Sequence, residues 1–367
     1  MSLSDLVLVK TDDFPIRRKG DVHSGKVRSV YWLNEEDSER VSKERGYDVS
    51  SGSGLGVMII SDRISAFECN WKARNGLDGV PGKGASLNAV SKHWFNRFDE
   101  EGLAGNHILD TPHPLVWIVQ KAEPIMVEAI ARQYITGSMW RAYEKGEREF
   151  CGIKLPNNLK QNQRLDELLM TPSTKGVMRG IPRIPEEDDV NITRQQIVDN
   201  YEAFGFKSKS DVDVYETLLS DAFSLTERDL GVNKKLLADM KLEFGYVKNA
   251  DGRLKMIYID EPVTPDSARI WDADAYSAGN VIEESKEGFR QFLLKMSGID
   301  PDILKNKKRM NERVKVAEEY RVPTDVMMEV AETYRSIAET IIGNPVPKIE
   351  NPREEILNTL SGYGLVA

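Results

Sequence analysis

The chain has 367 residues, 40% hydrophobic and 30% charged, a composition that excludes the disordered, collagen-like and coiled-coil classes. Its 50 Lys+Arg against 59 Asp+Glu leave a net charge of -9, and a pI near 5.3 argues against a protein that coats nucleic acid or an anionic membrane. A chain this long exceeds what one hydrophobic core fills, so at least two lobes with a cleft between them are expected.

Val27 to Leu33, Leu55 to Ser61 and Val116 to Val119 are short β-branched or aromatic runs bounded by turn residues, and they predict a β-rich first lobe over 1–122. Between the first two runs, 35–54 is dense in charge and then in Ser and Gly, which reads as a long exposed hairpin loop and a candidate for disorder. Apolar spacing predicts a helix over Leu87 to Phe98, after the turn Gly82-Lys83-Gly84. Ile125 to Tyr134 reads as a strand that runs into Thr136-Gly137-Ser138, where a helix over Met139 to Lys145 starts. The polar stretch from Pro156 to Asp213 is too long for a plain connection and suggests ligand-contacting loops with one helix, Thr193 to Phe204. Helices follow over Val214 to Leu230 and Thr324 to Ile342, the second with Val326, Val330, Ile337 and Ile341 on one face. The second, α+β lobe is taken as 123–343, and 344–367 reads as a C-terminal tail.

The two cysteines, Cys69 and Cys151, form no C-x-x-C pair and no disulfide framework, so a reducing, cytoplasmic setting is expected. The start of the chain has no apolar signal core and no run of about 18 apolar residues occurs anywhere, so neither export nor a membrane span is expected. The triplet Asn191-Ile192-Thr193 fits a glycosylation pattern that such a setting makes idle.

Leu236 to Glu261 carries the clearest chemical pattern. Asp239, Lys241 and Glu243 alternate with Met240, Leu242 and Phe244, so a strand separates a charged face from a core face. The turn Asn249 to Gly252 returns the chain as a second strand, which puts Asp260 opposite Glu243 or Lys241 and on their face. Two carboxylates with a lysine between them can hold a hard divalent cation such as Mg²⁺. A solvated face with cross-strand ion pairs competes with that reading. The rigid polar loop Glu261 to Arg269 at the strand end favours a site. Gly25-Lys26-Val27-Arg28 places two cations on one side of a strand after a glycine turn. It is no Walker loop, since Val27 stands where Ser or Thr must bind Mg²⁺, yet it could cover a triphosphate or be a plain surface turn. His23, His93, His107 and His113 show no metal spacing and no adjacent nucleophile. The kinase triplet His-Arg-Asp is absent too.

Together, Gly25 to Arg28, Ser61 to Phe67 (SDRISAF), Pro81 to Gly84, Arg132 to Ser138 (RQYITGS), Cys151 to Pro156, Thr171 to Lys175, Asp239 to Gly245 (DMKLEFG) and Asp260 to Trp271 resemble the SAICAR synthetases, the phosphoribosylaminoimidazole-succinocarboxamide synthases of purine biosynthesis. The likeness runs from about residue 20 to about residue 295, with departures at the 35–54 insertion, at Glu68, and after about Gly298. It implies a two-lobed α/β (α+β) fold with ATP in the cleft. It also implies a reaction in which ATP, L-aspartate and the carboxylated aminoimidazole ribonucleotide CAIR give SAICAR, ADP and phosphate, through an acyl-phosphate. Such an intermediate needs no protein nucleophile, and the chain offers no Ser-His or Cys-His pair.

Carried over, the resemblance assigns Gly25, Lys26, Arg28, Lys83 and Asp239 to ATP, and Glu243 and Asp260 to Mg²⁺ and to ATP. Lys241 would face the transferring group, and the catalytic set is Lys241, Glu243 and Asp260. Arg132, Ser138 and Arg269 would bind the CAIR phosphate, with Asp266 and Ser267 in the substrate-binding loop and Lys175 and Asp189 contacting the imidazole nucleotide or the aspartate. Arg132 has a competing reading as a buried ion-pair partner of Glu128. The expected partners are the small molecules CAIR and L-aspartate, with no nucleic acid and no membrane, and homo-oligomer formation is left open.

Overall fold

The structure, a computed structural model, describes residues 3–367. Among these residues, the first lobe is an antiparallel sheet in the order His23–Ser24, Arg28–Trp32, Leu55–Ile60, Val116–Gln120, Ile108–His113. The second sheet is built on one long strand, Lys235–Lys248, which pairs with Val127–Tyr134, Leu254–Ile259 and Ala268–Asp272. Alternation decides its orientation: Met240, Leu242 and Phe244 enter the core with Tyr215 and Phe223 of the helix Ser210–Val232, and the charged residues between them face the other way.

Two helices join the lobes. Lys83–Glu100 gives Ala85 and Leu87 to the core of the first sheet and Val90, Trp94 and Phe98 to that of the second. Thr324–Ile342, with the bounds expected from sequence, puts Tyr334 in the first core and Ile337 and Ile341 in the second. Ile337 and Ile341 point inward as expected, while the first half of the helix is turned by one residue. Met327 and Ala331 are buried against Trp71 and Phe289, while Val326 and Val330 lie half-buried at the edge.

Two expectations are overturned. The 35–54 segment is no exposed loop, because Glu35–Arg45 is a helix. Asn34 caps it by accepting from the Asp37 N–H at 2.7 Å, three acids fill the first turn, Lys43 and Arg45 the last, and Gly46 ends it at φ +68°. Residues 344–367 are no tail either. Pro352–Ser361 is a helix whose Ile356 and Leu360, with Leu365 beyond it, are fully buried in the first lobe's core. The two segments hold each other: Arg40 donates to the Tyr363 carbonyl at 3.0 Å, the Arg45 guanidinium lies 3.9 Å over the Tyr363 ring, and Tyr47 and Tyr363 both donate to Asp110. The charged helix had too few apolar residues to announce itself: Val41 is its one buried apolar residue, and Asp37, Ser38, Arg40 and Arg45 dock the rest through polar contacts.

Removing the Leu360 side chain to the β-carbon leaves a cavity in that core, so Leu360→Ala should cost about 2–5 kcal/mol in urea unfolding. A change below about 0.5 kcal/mol is what a tail would give.

His107 sits at the joint of the lobes, edge-on to Phe95 and Trp117, and burial pulls its imidazole down to about 4. The unfolded chain takes up that proton near pH 6.5, so the stability due to neutral His107 is complete above pH 6.5 and is lost as pH falls towards 4. The loss amounts to about 3 kcal/mol. Unfolding midpoints from pH 7 to pH 4 should fall less steeply for His107→Leu than for the parent.

Candidate active site

The charged face of Lys235–Lys248 organises two linked groups. At its start, Asp239 stands opposite Arg132 on one neighbouring strand and opposite Arg269 on the other. Both guanidinium groups bind the same oxygen, Asp239 Oδ2, at 2.5 and 2.6 Å. Arg132 also donates to Thr171 Oγ1 at 2.9 Å and to Ser138 Oγ at 3.2 Å, and Arg269 reaches Glu287 at 3.2 Å. The competing sequence reading was half right, since Arg132 is a buried ion-pair partner, but of Asp239 and not of Glu128. Burial opposes the charge of both arginines and lowers the pKa of Arg132. For Arg269 the fields of Asp239 and Glu287 outweigh burial and hold it above its ordinary value. Gly137, at φ +58°, opens the helix Gly137–Glu144 beside them, and a β-carbon there would lie 2.6 Å from the Arg269 guanidinium. Two arginines, a serine hydroxyl and a helix N-terminus converging in this way suit a phosphate dianion.

Farther along the strand, Lys241 Nζ donates to Glu128 Oε1 at 2.9 Å and to Glu243 Oε1 at 2.8 Å, and Lys175 pairs with the other oxygen of Glu243. Burial lowers the pKa of Lys175, and neighbouring Lys241 adds to the effect. Lys241 is half-buried, which would lower its pKa, but Glu128 and Asp260 outweigh that and keep it above its ordinary value.

Asp260 reaches the site by a route the sequence did not show. The ladder pairs Glu243 with Ile259, so a continuing strand would set Asp260 opposite Leu242, on the core side. The strand stops at Ile259 and Asp260 takes φ +61°, which turns its side chain back. There Arg28 grips it at 3.3 Å and Glu261 at 2.8 Å, and burial, which would raise the Asp260 pKa, is overcome by Arg28, Lys241 and Lys175, so it stays ionised.

A cavity of about 890 Å³ spans the arginine group and Lys241, with Lys26, Asp189 and Ser267 also on its wall. Glu243, Asp260, Lys175 and Arg28 are not part of that wall and join it through Lys241, Glu128 and Glu261. Lys26 is exposed after the turn in which the Gly25 N–H meets the Arg28 carbonyl at 2.7 Å. Arg28, expected over a triphosphate, is buried and committed to Asp260 and Glu261. Lys83, expected at ATP, is fully buried behind the wall, 2.8 Å from Asp266, which also meets Lys286 and the Tyr334 hydroxyl. Ser267 Oγ accepts from the Thr264 N–H at 3.0 Å and so shapes its own loop. Asp189 is exposed at the cavity wall, and partial loss of solvent together with Glu128 and Asp188 pushes it up to about 6. Sequence reasoning missed Glu128 as a site residue, and it missed Lys286, Glu287 and Arg290, though Ser285 as cap with Glu287 in the first turn was a readable helix-start pattern.

The SAICAR synthetase family model matches residues 21–303, more than two thirds of the chain. A phosphoribosylaminoimidazole-succinocarboxamide synthase of Vibrio parahaemolyticus is 59% identical over all 367 residues and 100% of both chains. The chain belongs to the SAICAR synthetase family. A synthase of the same name from Aeromonas salmonicida is 57% identical over the same span. In fold, the SAICAR synthase of Saccharomyces cerevisiae, solved with SAICAR, superposes with a TM-score of 0.63 at 24% identity, covering 93% of this chain and 99% of that one. A SAICAR synthetase solved with ADP does so at 0.54 and 19% identity, covering 90% and 100%.

In this SAICAR synthetase the arginine pair depends on one carboxylate. Asp239→Ala leaves buried Arg132 with no carboxylate and Arg269 with Glu287 alone, and should cost about 3–5 kcal/mol in urea unfolding. Added inorganic phosphate should recover part of the loss, and a variant as stable as the parent would show that the arginines pair elsewhere.

Proposed function

We infer that the chain joins the amine of L-aspartate to the carboxylate of CAIR, with ATP converted to ADP and phosphate. The observation that carries this reading is the shared grip of Arg132 and Arg269 on Asp239 beside Ser138, one step along the strand from Lys241. That spacing puts a phosphate-binding end next to a cation that can hold a carboxylate. A nucleotide anchored there by its phosphate presents its carboxylate to Lys241, with Lys175 behind it across Glu243. These ammonium groups orient it towards the γ-phosphorus of ATP and neutralise charge as the oxygen attacks and ADP leaves. Attack by the aspartate amine on the acyl carbon then expels phosphate.

The donors near Lys241 fit Mg²⁺ chemically. Glu243, Asp260 and Glu261 offer carboxylate oxygens, and the Asp260 side chain is 36% exposed. Among the described residues no group of three or more His, Cys, Asp or Glu stands ready to hold a metal. Mg²⁺ commonly takes one or two carboxylates plus substrate phosphates, which is what Glu243 and Asp260 would provide. Both Glu243 oxygens are engaged by Lys241 and Lys175, so Asp260 is the more open ligand of the pair. Bound there, Mg²⁺ would neutralise the ATP phosphates. The cytoplasm is the setting we propose, supported by the two free cysteines, one buried and one partly so. No helix among the described residues is long and apolar enough to cross a membrane.

Purified protein should release ADP only when CAIR and aspartate are both supplied, and ATP turnover indifferent to either would sink the reading. Asp260→Asn should lower kcat by about 100-fold or more with the unfolding midpoint retained, and EDTA should abolish turnover. Full activity in that variant would remove Asp260 from the metal site.

A further inference from the structure

The hairpin of Ile64–Ala66 with Cys69–Trp71 turns through Phe67 and Glu68, at φ +52° and +64°. Positive φ at both central residues is the type I′ hairpin turn, which favours Asn-Gly there, so Phe-Glu is an unfavourable choice that the surroundings must hold. What holds it is Arg313. Its side chain is 2% exposed, with the Glu68 carboxylate 3.8 Å away. It donates to the carbonyl of Phe67 at 3.2 Å, of Ile303 at 3.1 Å and of Asn306 at 2.9 Å. The same segment is tied on its other side, where Lys307 Nζ donates to the Asp188 carbonyl at 2.6 Å. Phe67, Glu68, Leu304, Lys307 and Arg313 all line the cavity. The family model stops at residue 303, so Lys307 and Arg313 are wall residues from outside it.

This wall belongs to the end of the cavity away from the arginine pair. Lys307 holds the Asp188 carbonyl, Asn191 just beyond it bridges Ser173, and Ser173 pairs with Glu128, which lies four residues, about 13 Å, along its strand from Arg132 and Asp239. We propose that Arg313 is a positioning residue. By binding three carbonyls at once, it clamps the Phe67–Glu68 turn to the 301–310 segment and shapes the cavity end around Asp189, where the second, non-phosphorylated substrate is handled. The proposal rests on the ligase reading above.

The test is steady-state kinetics of Arg313→Met with each substrate varied in turn, alongside its thermal unfolding midpoint. The expected result is a fall of about tenfold or more in kcat/KM for aspartate, with KM for CAIR within about twofold of the parent. Adding Glu68→Gly, which takes the left-handed turn without steric cost, should recover about threefold or more of the loss. Equal losses for both substrates, losses that track the folded fraction, or no recovery would each overturn the proposal. If Arg313→Met does not fold, Arg313→Gln, which keeps two donors, carries the same expectations. Parent protein that fails to use CAIR and aspartate defeats the ligase reading instead. Active parent beside an unaltered variant defeats only this proposal.

Discussion

Burial of Met240, Leu242 and Phe244 forces Asp239, Lys241 and Glu243 onto the opposite face of one strand, and that face is where both ends of the site begin. A strand this deeply enclosed cannot leave its charges bare, because an unpaired buried ion costs several kcal/mol. Each therefore recruits opposite charge from the nearest strand or loop: Asp239 takes Arg132 and Arg269, Lys241 takes Glu128, and Glu243 takes Lys175. The pairing is structural first. Of these groups, Arg132, Arg269 and Lys241 also line the open cavity.

The joint between the lobes obeys the same electrostatic rule. Lys83 at the start of one bridging helix and Tyr334 in the other meet on Asp266, whose carboxyl is held below its ordinary range because Lys286 and Lys83 outweigh burial. The loop that carries Ser267 and Arg269 is thereby fastened to both bridging helices. At the outer edge of the first lobe, the helix Glu35–Arg45 and the C-terminal helix perform a similar service, closing the core with Ile356 and Leu360.

Much of the architecture was legible before any coordinates, wherever one residue pattern had one solution. The alternation from Asp239 to Phe244, the turn at Asn249 to Gly252 and the helix Thr324–Ile342 are of that kind. The failures have distinct causes. Glu35–Arg45 is stabilised by its caps and by Arg40 and Arg45 reaching the far end of the chain, so local hydrophobic pattern was nearly silent about it. Asp260 escaped the register count because one left-handed residue ended the ladder early. Lys83 and Arg28 look like free cations in sequence, and burial against Asp266, Asp260 and Glu261 takes them out of that role.

By itself the sequence determined the family and the charged strand face, and it singled out Arg132 and Arg269, since these depend on residue type and short spacing. Only the tertiary structure decided which charge neutralises which, because Arg28 and Glu261, or Phe67 and Arg313, lie more than 230 positions apart and meet through strand register and helix packing. It also decided that the last residues of the chain complete the first lobe. Coulombic pairing and burial act on distance in space, and distance along the chain carries almost no information about either.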